Sequence, residues 1–487
     1  MKYVYILAIA LLLVACGGGG GGSTSATNTT VDTLAHGVGG TVSGLVTGNV
    51  VVLESTNFGA ATVTANGPYV FPTKRTGTNA FVVKILSATP GLSCTIRNAE
   101  NVIVSTNDIT NINLDCGSSA HGTFMSAARL NYLRFQHTAT LLTDGRVLVA
   151  GGWAGSPTFG KGEPQGTDVS EIYDPLNDSW TLTGAETYRF EHTATLLANG
   201  KVLVVGGNPG SYNPPLSPPI TPLASAELFD PATKSWTATS SLRQARLFHT
   251  ATLLPNGNVL VVGGVGNTGN LSSAELYNPT TQTWTNAGVL SMGRYDHTSN
   301  ILPSGKVLVS GGTSVQASGA HFEPTVSEVY DPASNSWSTI NNISNLPLGA
   351  ALVQQNGSLL ARTSSSPDHI YRFASFDTQA NTWSMIGQSP KIYGNVWTLM
   401  PNGQILMLDG DAMDGTYQPN MNTSLAGLYD PTSNTSKATG NLINSRDHPT
   451  STLLKDGRVL VIGGYGPSGG NLLQNGGAMA SAELYFP

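Results

Sequence analysis

Three carboxylates fall within six residues in the run Asp409-Gly410-Asp411-Ala412-Met413-Asp414-Gly415. Clustered carboxylate oxygens are the ligands that calcium prefers, but an EF-hand loop needs acids at its first, third and fifth positions before a glycine. Met413 stands at the fifth position here. We interpret the run as a solvated acidic loop, and calcium binding at 409–415 stays an open alternative.

Four histidines recur at one register, each three residues after an arginine: His137, His192, His249 and His297. A ring of imidazoles could suggest a metal centre. The ring is incomplete, because the matching positions hold Gly349, Asn395 and Pro449. Residues in separate repeats also lie too far apart to share one ion at about 2 Å. We therefore predict structural, hydrogen-bonded histidines, with neither a metal nor a cofactor.

Arginines and glutamates recur together in five units of the chain. The arginines are Arg134, Arg189, Arg246, Arg294 and Arg446, and the glutamates are Glu171, Glu227, Glu275, Glu328 and Glu483. In two further units both are lost together, to Leu346 with Ala374 and to Ile392 with Gly427. Joint loss indicates that each arginine pairs with the glutamate of its own unit. We predict a buried, bidentate and structural ion pair inside each regular unit.

These residues recur because the chain repeats itself from residue 122 onward. Each unit predicts four short strands, of which the first two are joined by a two-residue turn of the Asn-Gly kind. This turn occurs seven times at spacings between 46 and 57 residues, at Asp144-Gly145, Asn199-Gly200, Asn256-Gly257, Ser304-Gly305, Asn356-Gly357, Asn402-Gly403 and Asp456-Gly457. The seventh unit ends after its third strand. Phe124 lies ten residues before Arg134, as Trp236 lies ten before Arg246, so the strand around Phe124 is predicted to complete the last unit.

The double glycines that end the second strand, with a downstream Tyr or Phe and a Trp, resemble kelch repeats. The glycine pairs are Gly151-Gly152, Gly206-Gly207, Gly263-Gly264, Gly311-Gly312 and Gly463-Gly464. The resemblance implies an all-β fold, with a seven-bladed kelch-type β-propeller over 122–487. Copper radical oxidases of the galactose oxidase kind share that fold and require a cysteine cross-linked to a tyrosine. Because no cysteine lies in 122–487, we expect no copper radical chemistry. We also find no residues in this sequence that match the loop residues of the kelch mutarotases.

The N-terminus predicts export. Lys2 precedes an apolar run over 4–14 that is too short to span a bilayer. The end of the run, Leu13-Val14-Ala15-Cys16, resembles the lipobox of bacterial lipoproteins, which implies a signal peptide over 1–15 and lipidation of Cys16. An ordinary secretory signal is the alternative. Gly17 is not the acidic residue associated with inner-membrane retention, so the outer membrane is the expected location.

A tether and a small domain precede the repeats. Residues 16–36 are rich in Gly, Ser and Thr and form a flexible tether. Residues 37–117 alternate apolar and polar residues, as expected of a small β-sandwich, and Gly39-Gly40-Thr41-Val42-Ser43-Gly44-Leu45 resembles its counterpart in bacterial surface lipoproteins. In an exported protein Cys94 and Cys116 are predicted to form a disulfide.

The composition narrows the range of possible binding partners. The net charge of −6 and the 11% of charged residues give no sign of the basic surface that binding to nucleic acid requires. We expect a monomer that contacts the membrane only through its lipid anchor.

Five of the loops between strands two and three are long, and all share one face: 153–168, 208–223, 313–325, 411–424 and 465–479. Function on such scaffolds tends to lie on the variable loops, although tolerated insertions are an equal alternative. The predicted ligand face comprises Trp153, Phe159, Tyr212, Asp411, Asp414, Tyr417 and Tyr465. We expect a non-catalytic binding or adhesion module for protein or carbohydrate. The alternatives are a carbohydrate-active enzyme that uses Asp168, Asp411 or Asp414, and a purely structural envelope protein.

Overall fold

The structure is a computed structural model that describes residues 35–45, 48–55, 57–74, 80–81, 83–88, 92–97, 102–103, 108–118, 122–153, 168–209, 221–315, 319–341, 348–363, 372–388, 396–408, 424–467 and 476–487. These residues form strands, turns and connections without any helix, and so include no helix able to cross a membrane. The chain divides into two compact units. The first comprises Met1–Ala88 with Cys94–Cys116, and the second comprises Thr89–Ser93 with Gly117–Pro487.

The first unit is built from short strands with alternating burial. In Val51–Ser55 the first, third and fifth side chains are buried and the two between them are partly exposed, which is the period of a strand packed on one face. A disulfide joins Cys94 to Cys116. The sheets are, in spatial order, Gly67–Val70, Gly39–Ser43, Asn113–Ser118 and Leu92–Arg97; then Gly59–Val63, Val51–Ser55 and Val83–Ala88; then Ala80–Phe81 with Val102–Ile103.

The described residues of the second unit form seven four-stranded antiparallel sheets, numbered here in chain order from the inner strand outward. Sheet 1 is Thr138–Leu141, Val147–Ala150, Val169–Asp174 and Ser179–Ala185; sheet 2 is Thr193–Leu196, Val202–Val205, Ala226–Asp230 and Ser235–Thr239; sheet 3 is Thr250–Leu253, Val259–Val262, Ser273–Asn278 and Thr283–Val289; sheet 4 is Thr298–Ile301, Val307–Ser310, Val326–Asp331 and Ser336–Asn341. Sheet 5 is Leu348–Val353, Leu359–Thr363, Arg372–Asp377 and Thr382–Gln388; sheet 6 is Val396–Leu399, Ile405–Leu408, Ala426–Asp430 and Thr435–Ala438; sheet 7 is Thr450–Leu453, Val459–Ile462, Ala482–Phe486 and Thr123–Ala127. Three short hairpins extend from the second strands: Val265–Gly266 with Gly269–Asn270, Ser314–Val315 with His321–Phe322, and Tyr465–Pro467 with Gly476–Ala478.

Sheet 7 is assembled from both ends of the unit. Thr123–Ala127 pairs with Ala482–Phe486, and Phe124 stands opposite Tyr485. Their rings lie 4.9 Å apart, as the rings of Phe229 and Trp236 do at 5.0 Å in sheet 2. The pairing expected from the ten-residue spacing is therefore present, and Phe124 takes the tryptophan's place.

The second strand of each sheet is buried along its whole length, because neighbouring sheets cover both of its faces. In Val202–Val205 all four side chains are buried, and they divide between two apolar clusters. One packs against sheet 1 and the other against sheet 3. Equivalent clusters join every successive pair of sheets and also sheet 7 to sheet 1. The sheets therefore close into a ring whose contacts are mainly apolar.

Candidate functional site

The structure brings together all five predicted arginine–glutamate pairs, each within one repeat. The shortest N–O distances are 2.9 Å for Arg134–Glu171, 2.7 Å for Arg189–Glu227, 2.8 Å for Arg246–Glu275, 2.8 Å for Arg294–Glu328 and 2.5 Å for Arg446–Glu483. All five arginine side chains are fully buried. In four of them, Arg134, Arg246, Arg294 and Arg446, desolvation lowers the guanidinium pKa and the paired glutamate offsets part of that shift.

The predicted bidentate geometry, with two nitrogens on two oxygens, was wrong: Arg134 donates through Nε and Nη2 to the single oxygen Oε1 of Glu171, and the other four arginines donate through Nη2 alone. In Arg246 only Nη2 donates to the carboxylate, while Nη1 donates to the carbonyls of Gly263 and Ser273. The guanidinium is shared in this way because it also donates to carbonyl groups at the ends of two strands. The carboxylate is also shared, since Glu275 accepts the backbone N–H groups of Arg243 and Gln244. Each pair thus ties the connection between sheets to the ends of strands two and three.

The four predicted histidines bond from sheet to sheet around the ring. The Nε2 atom of His192 lies 3.0 Å from Thr138 Oγ1 of sheet 1, and His137 reaches back to Thr450 of sheet 7 at 2.9 Å. His249 and His297 contact Thr193 and Thr250 in the same way. Burial lowers the pKa of His137 and His297 to about 3, so these imidazoles are neutral at physiological pH. They join sheets 7, 1, 2, 3 and 4.

Two residues after each of the five paired arginines lies a residue whose backbone adopts a left-handed conformation. We call these five the inner-rim residues: Gln136, Glu191, Phe248, Asp296 and His448, with φ of 55°, 56°, 55°, 53° and 48°. The backbone N–H of Glu191 donates to Gln136, that of Phe248 to Glu191, and that of Asp296 to Phe248. The chain of bonds follows the inner edge of the ring. A bulky residue such as phenylalanine adopts this conformation only at a cost.

The charged inner-rim side chains act on one another although they belong to different repeats. The charge of His448, which precedes sheet 7, acts to lower the pKa of Asp296, which precedes sheet 4. Desolvation is the larger effect and raises the pKa of Asp296 to about 6. The pKa of Glu191 is raised well above its ordinary value, by desolvation and by repulsion from Asp296. The inner rim therefore holds two carboxyl groups whose pKa values are both raised above the ordinary range.

Aromatic side chains flank these acids. The rings of Phe248 and Tyr295 lie 6.0 Å apart, and Tyr295 Oη lies 3.2 Å from Nδ1 of His321. Phe248 is partly exposed, and Asp296 and His448 are exposed. Carboxylates beside aromatic faces can hold a polar, ring-shaped or cationic ligand by hydrogen bonds and stacking. Among the described residues no group of three or more His, Cys, Asp or Glu side chains is placed to hold a metal ion.

The structure supports the predicted ligand face less well than the predicted ion pairs and histidine bonds. The expectation of a displayed ring at Trp153 was wrong, because Trp153 is buried in a cluster with Phe135, Phe190 and Ala478. Its backbone pairs with Phe135, which turns the ring inward, and Tyr465 is half-buried against the same cluster. Cys16, Phe159, Tyr212, Asp411, Asp414 and Tyr417 lie outside the described residues. Asp168 is described and exposed. The inner rim was not predicted from the sequence. Aligning the repeats on their arginines would have shown that this position varies from one repeat to the next.

Comparison with known proteins agrees with this architecture. Residues 246–288 match the family model of the Kelch motif. No curated protein matches the chain. A solved structure described as a novel fungal alcohol oxidase with catalytic diversity among the AA5 family, in complex with copper, is similar with a TM-score of 0.55 and 17% sequence identity. The match covers 75% of this chain and 76% of that one. The repeated sheets and these matches support a β-propeller fold of the kelch and galactose oxidase-like kind.

Proposed function

We propose that this chain is an exported, lipid-anchored bacterial envelope protein that binds a protein or carbohydrate ligand at the inner rim of a seven-bladed kelch propeller, without catalysing a reaction. The run Leu13-Val14-Ala15-Cys16 supports the anchor, and Gly17 supports the outer membrane. The ring of seven sheets supports the blade count, and the first unit would serve as a small β-sandwich spacer.

The observation that carries the binding proposal is the contrast between fixed backbone and varied chemistry at the inner rim. Five repeats hold this position in the same left-handed conformation, yet the residues are Gln136, Glu191, Phe248, Asp296 and His448. The arginine two positions earlier is kept in all five repeats, and the histidine that follows is kept in four. A purely structural position would favour glycine or asparagine. Varied polar and aromatic residues held at one place are typical of recognition surfaces.

Copper chemistry of the oxidase kind does not fit the residues. Cys94 and Cys116 belong to the first unit and are bonded to each other, so neither is available to the propeller. The described donors at the inner rim are two carboxylates, one imidazole and a primary amide rather than a cysteine–tyrosine pair. No step of the proposed function therefore involves copper.

A glycan array and a pull-down from envelope extract, both with the full chain carrying Cys16→Ser, test the proposal. We expect saturable binding that falls about tenfold in the double variant Glu191→Gln/Asp296→Asn, because each lost hydrogen bond to the ligand costs about 0.5–1.5 kcal/mol. Lys234→Ala, at an exposed turn with positive φ, is the matched control and should bind normally. Absence of any saturable ligand would favour the purely structural alternative.

A carbohydrate-active enzyme is the second candidate, and the inner-rim carboxylates favour it. Two neighbouring carboxyl groups are the pair used where one group donates a proton and another accepts it. In that case Asp296→Asn should abolish turnover of the array-identified glycan while leaving its binding within about threefold. Turnover that survives this change removes the enzyme candidate at this site.

A further inference from the structure

Three of the inner-rim residues carry hydrogen-bond acceptors that lack donors. Backbone bonds place Gln136, Glu191, Phe248 and Asp296 one after another along the rim, before sheets 1 to 4. The Oε1 atom of Gln136 is buried and has no hydrogen-bond partner among the described residues. The carboxyl groups of Glu191 and Asp296 likewise have neither a hydrogen bond nor an ion pair within the described part of the chain.

The other glutamates of the repeats show how such groups are normally neutralised. The five glutamates of the ion pairs each bond to a buried arginine. Glu191 instead meets repulsion from Asp296, which adds to the desolvation that raises its pKa. His448, whose charge acts on Asp296, is already bonded to Asp447 at 2.6 Å. A ligand that brings N–H donors together with a positive charge would relieve the repulsion and satisfy the acceptors.

The three acceptor groups fit a lysine ammonium better than they fit other cations. An ammonium group has three N–H donors around a compact charge, which suits acceptors that come from three different repeats. An arginine guanidinium is a planar fork that matches the two oxygens of one carboxylate. Calcium takes about six to eight oxygen ligands, which is more than two carboxylates and one amide provide.

The aromatic rings beside the acids favour an apolar stem behind the charge. Phe248 lies between Glu191 and Asp296 along the rim, and its ring is 6.0 Å from that of Tyr295 at an angle of 50°. Both rings are partly exposed. The alkyl stem of a lysine packs along such a surface while its ammonium group reaches the carboxylates. A sugar ring needs a broad aromatic face, which two rings packed against each other do not present.

We propose that the inner rim binds a lysine side chain of a protein partner, with the ammonium group held by Gln136, Glu191 and Asp296 and the stem packed on Phe248. This inference rests on the proposed function and selects the protein ligand from its two alternatives.

Isothermal titration calorimetry of the full chain carrying Cys16→Ser tests the inference with two capped tripeptides. Both have a central lysine, and in one of them the lysine side chain is acetylated. We expect saturable binding of the unmodified peptide and at least about tenfold weaker binding of the acetylated one, because acetylation removes the charge and two of the three donors. Glucosamine, which carries its ammonium group on a sugar ring, is titrated alongside.

A variant of Gln136 tests whether the uncharged acceptor takes part. Gln136→Met keeps the length of the side chain without the acceptor and should weaken binding of the unmodified peptide about fivefold. Gln282 also has a positive φ, of 54°, and lies at an exposed turn outside the rim. Gln282→Met is therefore the matched control and should bind the peptide as the natural chain does.

Equal affinities for the two peptides, or no saturable binding of the unmodified one, would overturn the inference, and this comparison needs no variant. Unchanged binding in Gln136→Met would also contradict it. Tighter binding of glucosamine than of the lysine peptide would replace the lysine with an amino sugar. The proposed function is tested separately. A ligand from the array or the pull-down that binds Glu191→Gln/Asp296→Asn less tightly, yet binds the natural chain equally well after its lysines are acetylated, would support the site and overturn the lysine assignment.

Discussion

The ring is held together differently along its two arcs. From sheet 7 through sheets 1 to 4, every repeat has a buried arginine–glutamate pair, and histidine–threonine bonds join successive sheets. Sheets 5 and 6 have Leu346 with Ala374 and Ile392 with Gly427 in place of the pairs. The contacts between them include the rings of Phe373 and Tyr429 at 4.4 Å and hydrogen bonds from the side-chain amide of Gln355 to the carbonyls of Met400 and Pro401. The same sheet geometry therefore tolerates either arrangement, provided that both charges are present or both are absent.

The largest expected effect follows from breaking one pair. Arg246→Leu leaves Glu275 buried without its partner, and we expect it to lower the free energy of unfolding by about 3–5 kcal/mol. The double change Arg246→Leu/Glu275→Ala reproduces the residues of sheet 5 and should cost clearly less than the single change. Denaturant unfolding of the three proteins measures both values. A double variant as unstable as the single one would mean that the pair is more than a matched set of charges.

Removing one link between sheets should have a smaller effect. His297→Asn introduces the residue found at 395 and removes the bond to Thr250, which should cost about 0.5–1.5 kcal/mol at neutral pH. The pH dependence gives a second readout. Because the folded pKa of His297 is depressed to about 3, its stabilising effect is present above the unfolded value near 6.5 and is lost as pH falls towards 3.

The natural chain should therefore lose about 1.4 kcal/mol per pH unit through this histidine over that window, and the asparagine variant should lose correspondingly less. Thermal unfolding at a series of acidic pH values gives the two slopes. Equal slopes would show that His297 is not the titrating group. His321, which is exposed, provides the control through His321→Asn, whose slope should match that of the natural chain.

The smallest effect concerns local motion. Because sheets 5 and 6 lack the charged pairs and the histidine bonds, their inner strands Leu348–Val353 and Val396–Leu399 should exchange amide hydrogens faster than Thr193–Leu196 and Thr250–Leu253. Exchange measured by peptide mass spectrometry covers all four strands in one experiment. Uniform protection around the ring would mean that the apolar contacts alone set its stability.

Much of this architecture could be predicted from the sequence because it repeats. Joint loss at 346/374 and 392/427 revealed which arginine pairs with which glutamate, and a ten-residue spacing placed Phe124 beside the last strand. Features that occur in only one repeat were harder to predict. Glu186 stands where four other repeats have a buried leucine, and Trp153 is buried where its backbone pairs with Phe135. The inner rim depends on a left-handed backbone, which residues such as Phe248 give no reason to expect.

The central claim is that the arginine and histidine positions hold the ring while the inner-rim residues between them bind a ligand. Two measurements on the double variant Glu191→Gln/Asp296→Asn test this claim. The first is the affinity for the glycan or protein that the array or the pull-down identifies, and the second is the free energy of unfolding. The claim predicts about tenfold weaker binding with a free energy of unfolding within about 0.5 kcal/mol of that of the natural chain, since neither side chain is fully buried. Unchanged binding, or binding lost only because the propeller unfolds, would contradict it.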